Sequence, residues 1–171
     1  MVSFRKTRQA RKTLLVVGEG DSEVAFIKHL RQIYCANGAG VSVTVRNAHG
    51  KGPDNVIHTA IALKRSGGYD QVAALLDTDL LWSPTIRKAA EKSRIALVGS
   101  TPCLEGLLLA VLGVQVPERS DQCKDELHLR VGSRMLDADD YQAPFSRVVL
   151  QGARSRVPSL DLLLKLIEGV A

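Results

Sequence analysis

The chain has 171 residues, 45% hydrophobic and only 4% aromatic, the size and balance of one globular domain with a core of Leu, Val, Ile and Ala. No apolar run approaches the roughly 18–20 residues of a membrane span, and Leu14 to Val17, behind a basic N-terminus, is too short for a secretory leader, so a cytoplasmic protein without membrane attachment is expected. Net charge is +5, from 23 basic and 18 acidic residues; five of the bases lie in the first twelve positions, and the remainder balances.

Those five, Arg5, Lys6, Arg8, Arg11 and Lys12, have no acid among them. They define an N-terminal arm over 1–12, expected to bind nucleic acid by releasing counterions from its phosphates without reading sequence. Thr13 to Val17 is a short apolar, β-branched run entering Gly18-Glu19-Gly20, the pattern of a buried strand and tight turn. A helix follows to about Tyr34, with Asp21 and Ser22 as candidate caps and Ile27, Leu30 and Tyr34 on one stripe.

Val41 to Val45 is a second strand, and His49 to Pro53 a glycine-rich loop. A helix over Asp54 to Arg65 leads to a third strand, Gln71 to Leu76, which enters Asp77-Thr78-Asp79. Ser83-Pro84 starts a helix that runs to about Ser93. Ile95 to Val98 is a fourth strand, and Thr101-Pro102 opens an apolar helix, Cys103 to Leu112. Two further helices are expected near Asp121 to Val131 and Leu160 to Glu168, with a short strand, Arg147 to Leu150, between them. Alternating strands and helices imply an α/β fold: a mainly parallel sheet of about four strands, helices on both faces, and a helical C-terminal extension.

Cys35, Cys103 and Cys123 form no CxxC pair and read as buried, reduced thiols rather than a zinc ribbon. The chemistry concentrates where strands end in acid. Ligands of open α/β sheets bind beyond the carboxyl ends of the strands. Glu19 after the first strand and Asp77 and Asp79 after the third converge there if those strands are neighbours. Alternate strand residues share a side, so both aspartates can reach one site. Clustered carboxylates repel unless protonated or bridged by a cation, and Mg²⁺, an oxygen-seeking ion, suits them. Glu105, in the first turn of the apolar helix, is either a partner of the helix N-terminus or a further ligand. His49 and Lys51, on the same sheet edge, are candidates for proton transfer and for stabilising phosphate charge. Trp82 is a candidate for stacking a base. The loop lacks the spacing of a phosphate-binding ATPase loop.

The segments LLVVGEGDSE and VAALLDTD resemble the Toprim superfamily, whose domains carry a Glu after the first strand and Asp-x-Asp after the third. The turn Glu19-Gly20-Asp21-Ser22-Glu23 and the segment Thr101-Pro102-Cys103-Leu104-Glu105 ahead of a leucine-rich helix resemble the RloB-like branch, related to OLD-family nucleases. Leu104 stands where that branch has an aromatic, and Leu80 follows the Asp-x-Asp where an acid or glycine is common. The resemblance spans about residues 13–112 and implies a Toprim-like core there, with 113–171 packing on it. It implies a Mg²⁺-dependent nuclease, with Mn²⁺ as a substitute. Glu19 would be a general acid or base or a ligand, and Asp77 and Asp79 would hold metal. By the same analogy the context is defence or nucleic-acid processing, with a separate ATPase or a second copy of the chain as partner. Two alternatives stand beside it. One is a catalytically inactive nucleic-acid-binding or partner subunit. The other is a haloacid-dehalogenase-like phosphatase with Asp77 as nucleophile, Asp79 as acid/base, and Thr101 and Asp139-Asp140 in support.

Overall fold

A computed structural model describes residues 11–132 and 134–171; Arg5, Lys6 and Arg8 lie outside them. Four strands, β1 (Thr13–Gly18), β2 (Ser42–Asn47), β3 (Gln71–Asp77) and β4 (Ile95–Ser100), form one all-parallel sheet in the order β2-β1-β3-β4. The chain first steps from β1 to β2, then crosses back over β1 to β3. The reversal in strand order therefore falls between β1 and β3, the two acid-ended strands. This is the arrangement of a Rossmann-like fold.

Helices α1 (Asp21–Tyr34), α2 (Gly52–Gly67) and α3 (Pro84–Lys92) connect the strands, and α4 (Leu104–Val111), α5 (Ser120–Val131), α6 (Arg147–Ala153) and α7 (Pro158–Glu168) follow. The period-two alternation of the strands divides the apolar residues into two cores. Leu14, Val16, Ala73 and Leu75 pack with α1, α4 and the C-terminal helices. Leu15, Val17, Val72, Ala74 and Leu76 pack with α2 and α3. Both faces of β1 and β3 are thus covered, which is why these strands read as unbroken apolar runs.

The C-terminal extension shares the larger core. Tyr141, fully buried, lies 5.4 Å from Phe26 and 5.8 Å from both His29 and Phe145, ring centre to ring centre. Its hydroxyl lies 3.0 Å from the carbonyl oxygens of both Ser22 and Met135. His29, also buried, donates from Nε2 to the Phe145 carbonyl at 2.8 Å.

One expected element is corrected. Arg147–Leu150 is not a strand but the start of α6. The Ser146 hydroxyl caps it by accepting from Val149 N–H. Leu150 and Ala153 turn inward at helical spacing, and Val148, which gave the segment its β character, is 82% exposed. The first helix is also capped differently: Gly20, not Asp21 or Ser22, is the N-cap.

Glycine is required at one place inside α4. A Cβ on Gly106 would fall 2.3 Å from the Thr101 carbonyl oxygen. Helix propensity alone favours alanine there by about 1 kcal/mol, but overpacking against backbone costs roughly 1–3 kcal/mol. Gly106→Ala is therefore expected to lower stability by up to about 2 kcal/mol in urea unfolding, against the propensity trend.

Candidate functional site

The parallel register sets the acids beside one another. Gly18 pairs with Leu75, so Asp77 extends two positions past the end of β1, alongside the Glu19-Gly20 turn. Asp77 shares strand parity with Ala73 and Leu75, whose face carries α1 and α4. That face brings two more carboxylates, Glu23 from α1 and Glu105 from α4. Gly18 makes room for the first of these: a Cβ there would lie 2.7 Å from Glu23 Cβ. Glu23 is only 8% exposed, and its Oε2 accepts from Gly20 N–H at 2.9 Å, closing the start of α1.

The Asp77–Asp79 turn is tied to its neighbour. The backbone N–H groups of Thr78 and Asp79 donate to the Pro102 carbonyl at 3.0 and 2.9 Å, and Thr78 Oγ1 donates to Thr101 Oγ1 at 3.0 Å. Ser120 Oγ, at the head of α5, donates to Asp79 Oδ2 at 2.8 Å. Trp82 Nε1 donates to the Asp77 carbonyl at 2.8 Å. Its half-buried ring packs with the α2–α3 core under Arg87, so Trp82 supports the turn rather than standing free for a base.

The loop after β2 closes the other side. His49, Gly50, Lys51 and Gly52 are all left-handed, with φ of 61°, 74°, 69° and 78°. For His49 and Lys51 this costs roughly 1–2 kcal/mol each. The run is held by Gly50 N–H donating to the Glu19 carbonyl at 2.8 Å and by Asn55 Nδ2 donating to the carbonyls of Ala48 and Gly50 at 2.7 and 2.8 Å. The N–H groups of Asp77 and Gly52 reach the Glu19 carboxylate.

These acids act on one another. Burial, followed by repulsion from Glu23, Glu19, Asp79 and Glu105, pushes Asp77 up to about 8. Burial raises Glu19 as well; Asp79 adds to the rise, and the N–H donors pull it partly back. Glu23 is raised by burial and by Glu105 and Glu19, against its own and Gly20's N–H groups. Among the described residues, none of the five takes part in an ion pair. Asp77 Oδ1 is buried with no hydrogen-bond partner. A buried, unpartnered carboxylate oxygen amid like charge fits a divalent cation. Among the described residues, no three His, Cys, Asp or Glu side chains already form a metal cage. Mg²⁺ ordinarily takes one or two carboxylates and completes its shell with water.

Glu19, Asp77, Asp79 and Glu105 are thus brought together, and Glu23 joins them unforeseen. Its sequence signal was available: it stands four residues after Glu19 and at the capping-box position after Gly20. His49 and Lys51 sit on the same edge but are exposed, and neither bonds to an acid side chain. Arg11 and Lys12 precede β1, so they lie at the opposite sheet edge, about 20 Å away for six residues at 3.3 Å each. The Arg11 guanidinium donates to the carbonyls of Ala39, Gly40 and Val41.

No protein-family model and no curated protein matches the chain. Among solved structures it is similar to the C-terminal region of the Burkholderia pseudomallei OLD protein, at 16% identity and a TM-score of 0.47, over 95% of this chain and 100% of that one. It is also similar to the C-terminal region of the Xanthomonas campestris pv. campestris OLD protein, at 17% identity and a TM-score of 0.37, over 92% and 87%. At TM-scores below 0.5 neither likeness carries an argument about what this chain does.

The raised Asp77 has a measurable consequence. With its folded-state value above the ordinary 3.8, the native protein holds a proton that the unfolded chain releases between 3.8 and about 8. The stability this proton confers is complete below pH 3.8 and is lost as pH rises toward 8. In EDTA, the stability of Asp77→Asn relative to the parent is expected to grow with pH across that window, with a slope of up to about 1.4 kcal/mol per unit. Urea unfolding at several pH values measures it.

Proposed function

We propose that this chain is a Mg²⁺-dependent phosphoryl-transfer enzyme of the Toprim type, a nuclease that hydrolyses nucleic-acid phosphodiesters, with Mn²⁺ able to replace Mg²⁺. The observation that carries the reading is the buried, unpartnered Asp77 Oδ1 among four other acids, none of them in an ion pair among the described residues. The motif resemblance supplies the reaction class.

Asp77 and Asp79 would hold the ion, with Glu105 or Glu19 as a further ligand. A bound divalent ion supplies charge stabilisation at the phosphate and acidifies water. Glu19, half-buried with a raised pKa, is suited to take the proton of the attacking water. Its carboxylate is aimed by the N–H groups of Asp77 and Gly52. Glu23 fixes the start of α1 and adds negative charge beside Asp77, a positioning role. Lys51, left-handed at the head of α2, would meet a phosphate oxygen, and His49 would return a proton to the leaving oxygen.

The phosphatase alternative fits less well. Asp139 and Asp140 are engaged within their own turn: Asp140 Oδ2 accepts from the N–H groups of Leu136 and Asp137, and Asp139 Oδ1 from Gln142. Thr101 is bonded to Thr78. A non-catalytic nucleic-acid-binding or partner subunit draws support from the lack of a preformed three-ligand cage among the described residues.

The two readings separate in one assay. Labelled single- and double-stranded DNA and RNA are incubated with Mg²⁺ or Mn²⁺ and resolved on gels. Cleavage is expected with metal and not with EDTA. Asp77→Ala should lower it at least 100-fold while circular dichroism stays unchanged. Glu23→Gln should lower it about tenfold and alter the metal concentration needed for half-maximal rate. Equal cleavage by the parent and Asp77→Ala would remove this reading, and binding without turnover in any lane would favour the non-catalytic one.

A further inference from the structure

Among the described residues, four buried side-chain polar atoms have no hydrogen-bond partner, and two of them end adjacent strands: Asp77 Oδ1 on β3 and Ser100 Oγ on β4. These two residues are partners in the parallel register, which sets their backbones about 4.8 Å apart. They also face the same way. A Cβ on Gly99 would meet the Trp82 ring and Thr78 Cγ2, on the α2–α3 side of the sheet. Strand alternation turns Ser100 to the other side, with Val98. That side carries Asp77 and, from the first turn of α4, Glu105.

Ser100 is 0% exposed and cannot turn away. Its carbonyl accepts from Thr78 N–H at 2.9 Å, and the ladder with β3 fixes its backbone. Neighbouring hydroxyls are engaged, Thr78 with Thr101 and Ser120 with Asp79. A hydroxyl taken out of water without a partner is costly, and a serine beside a carboxylate ordinarily donates to it. Here neither atom satisfies the other. Both are oxygens with free lone pairs, next to acids that form no ion pair among the described residues. A bridging water would leave that charge in place, whereas a divalent cation answers both needs. The cation also fits where water does not: Mg²⁺ sits about 2.0–2.1 Å from its oxygen ligands, closer than the roughly 2.8 Å of a water. A hydroxyl beside an aspartate is a recurrent oxygen pair for Mg²⁺ in phosphate-transferring proteins.

We propose that Ser100 Oγ is a direct ligand of the divalent ion held by Asp77, so that β4 contributes to the site together with β1, β3 and α4. The assignment rests on the metal site of the proposed function, but it predicts ion binding rather than turnover. The hydroxyl keeps its proton and acts through a lone pair, so no covalent bond forms or breaks.

The test is calorimetric titration of the full chain with Mg²⁺ and with Cd²⁺, on the parent, Ser100→Ala and Ser100→Cys. Ser100→Ala should weaken Mg²⁺ binding by about tenfold or more. In EDTA its melting temperature should equal or exceed the parent's, because an unpartnered hydroxyl has been removed. Ser100→Cys should weaken Mg²⁺ binding to a similar degree and tighten Cd²⁺ binding by about tenfold or more, since a thiolate prefers a soft ion. A hydroxyl that only packs, or only bonds to Asp77, gives no such exchange of preference. Cys35, Cys103 and Cys123 are common to all three proteins, so the comparison isolates position 100. Equal Mg²⁺ affinity in the parent and Ser100→Ala overturns the assignment, as does unchanged Cd²⁺ affinity in Ser100→Cys. A lower melting temperature of Ser100→Ala in EDTA also overturns it, by revealing a bond within the protein. Where the parent binds Mg²⁺ and cleaves while Ser100→Ala binds as tightly, the assignment alone fails and the enzyme reading stands. A parent that binds no divalent ion removes both.

Discussion

The architecture of this protein turns on a repulsion. Five carboxylates from four separate segments are held within electrostatic reach of one another at the end of a parallel sheet, and the most buried oxygen among them has no donor. Folding alone would relieve such strain by ionising fewer groups or turning side chains to solvent. Here the backbone prevents the second route: Asp77 is the last residue of a central strand, and Glu23 is fixed in a helix cap. What remains is protonation or neutralisation by a cation. Nearby features can be read as support for this arrangement, from the Pro102 carbonyl that anchors the aspartate turn to the strained loop that closes over Glu19.

Much of this is legible in the sequence. β1 and β3 stand out because burial on both faces leaves no polar residue to interrupt them. The Asp-x-Asp stands out because alternate strand residues share a side, so both acids can reach one place. Strand order was the one assumption needed, and the β2-β1-β3-β4 sheet meets it.

What escaped the sequence did so for physical reasons. Glu23 reads as an ordinary capping-box residue, and it is one; only the absent Cβ of Gly18 and the proximity of α4 make it part of an acid cluster. Arg147–Leu150 carries two adjacent valines, but its fate is decided by the Ser146 cap and by packing that no local pattern reports. The role of Tyr141 depends on Phe26 and His29, more than a hundred residues earlier, and distance in sequence hides it.

The division of each central strand between two cores carries a further implication for how the chain tolerates change. In β3, odd-numbered side chains face α1 and even-numbered ones face α2 and α3. Inserting or deleting one residue within that strand would exchange the two sets at once. Residues of different volume would trade places between two close-packed cores, and the aspartates would rotate to the opposite side of the sheet, away from Glu23 and Glu105. The frame of this strand is therefore constrained at once by its apolar content and by its terminal charge, so length changes belong in the loops and not in the ribbon that aims the acids.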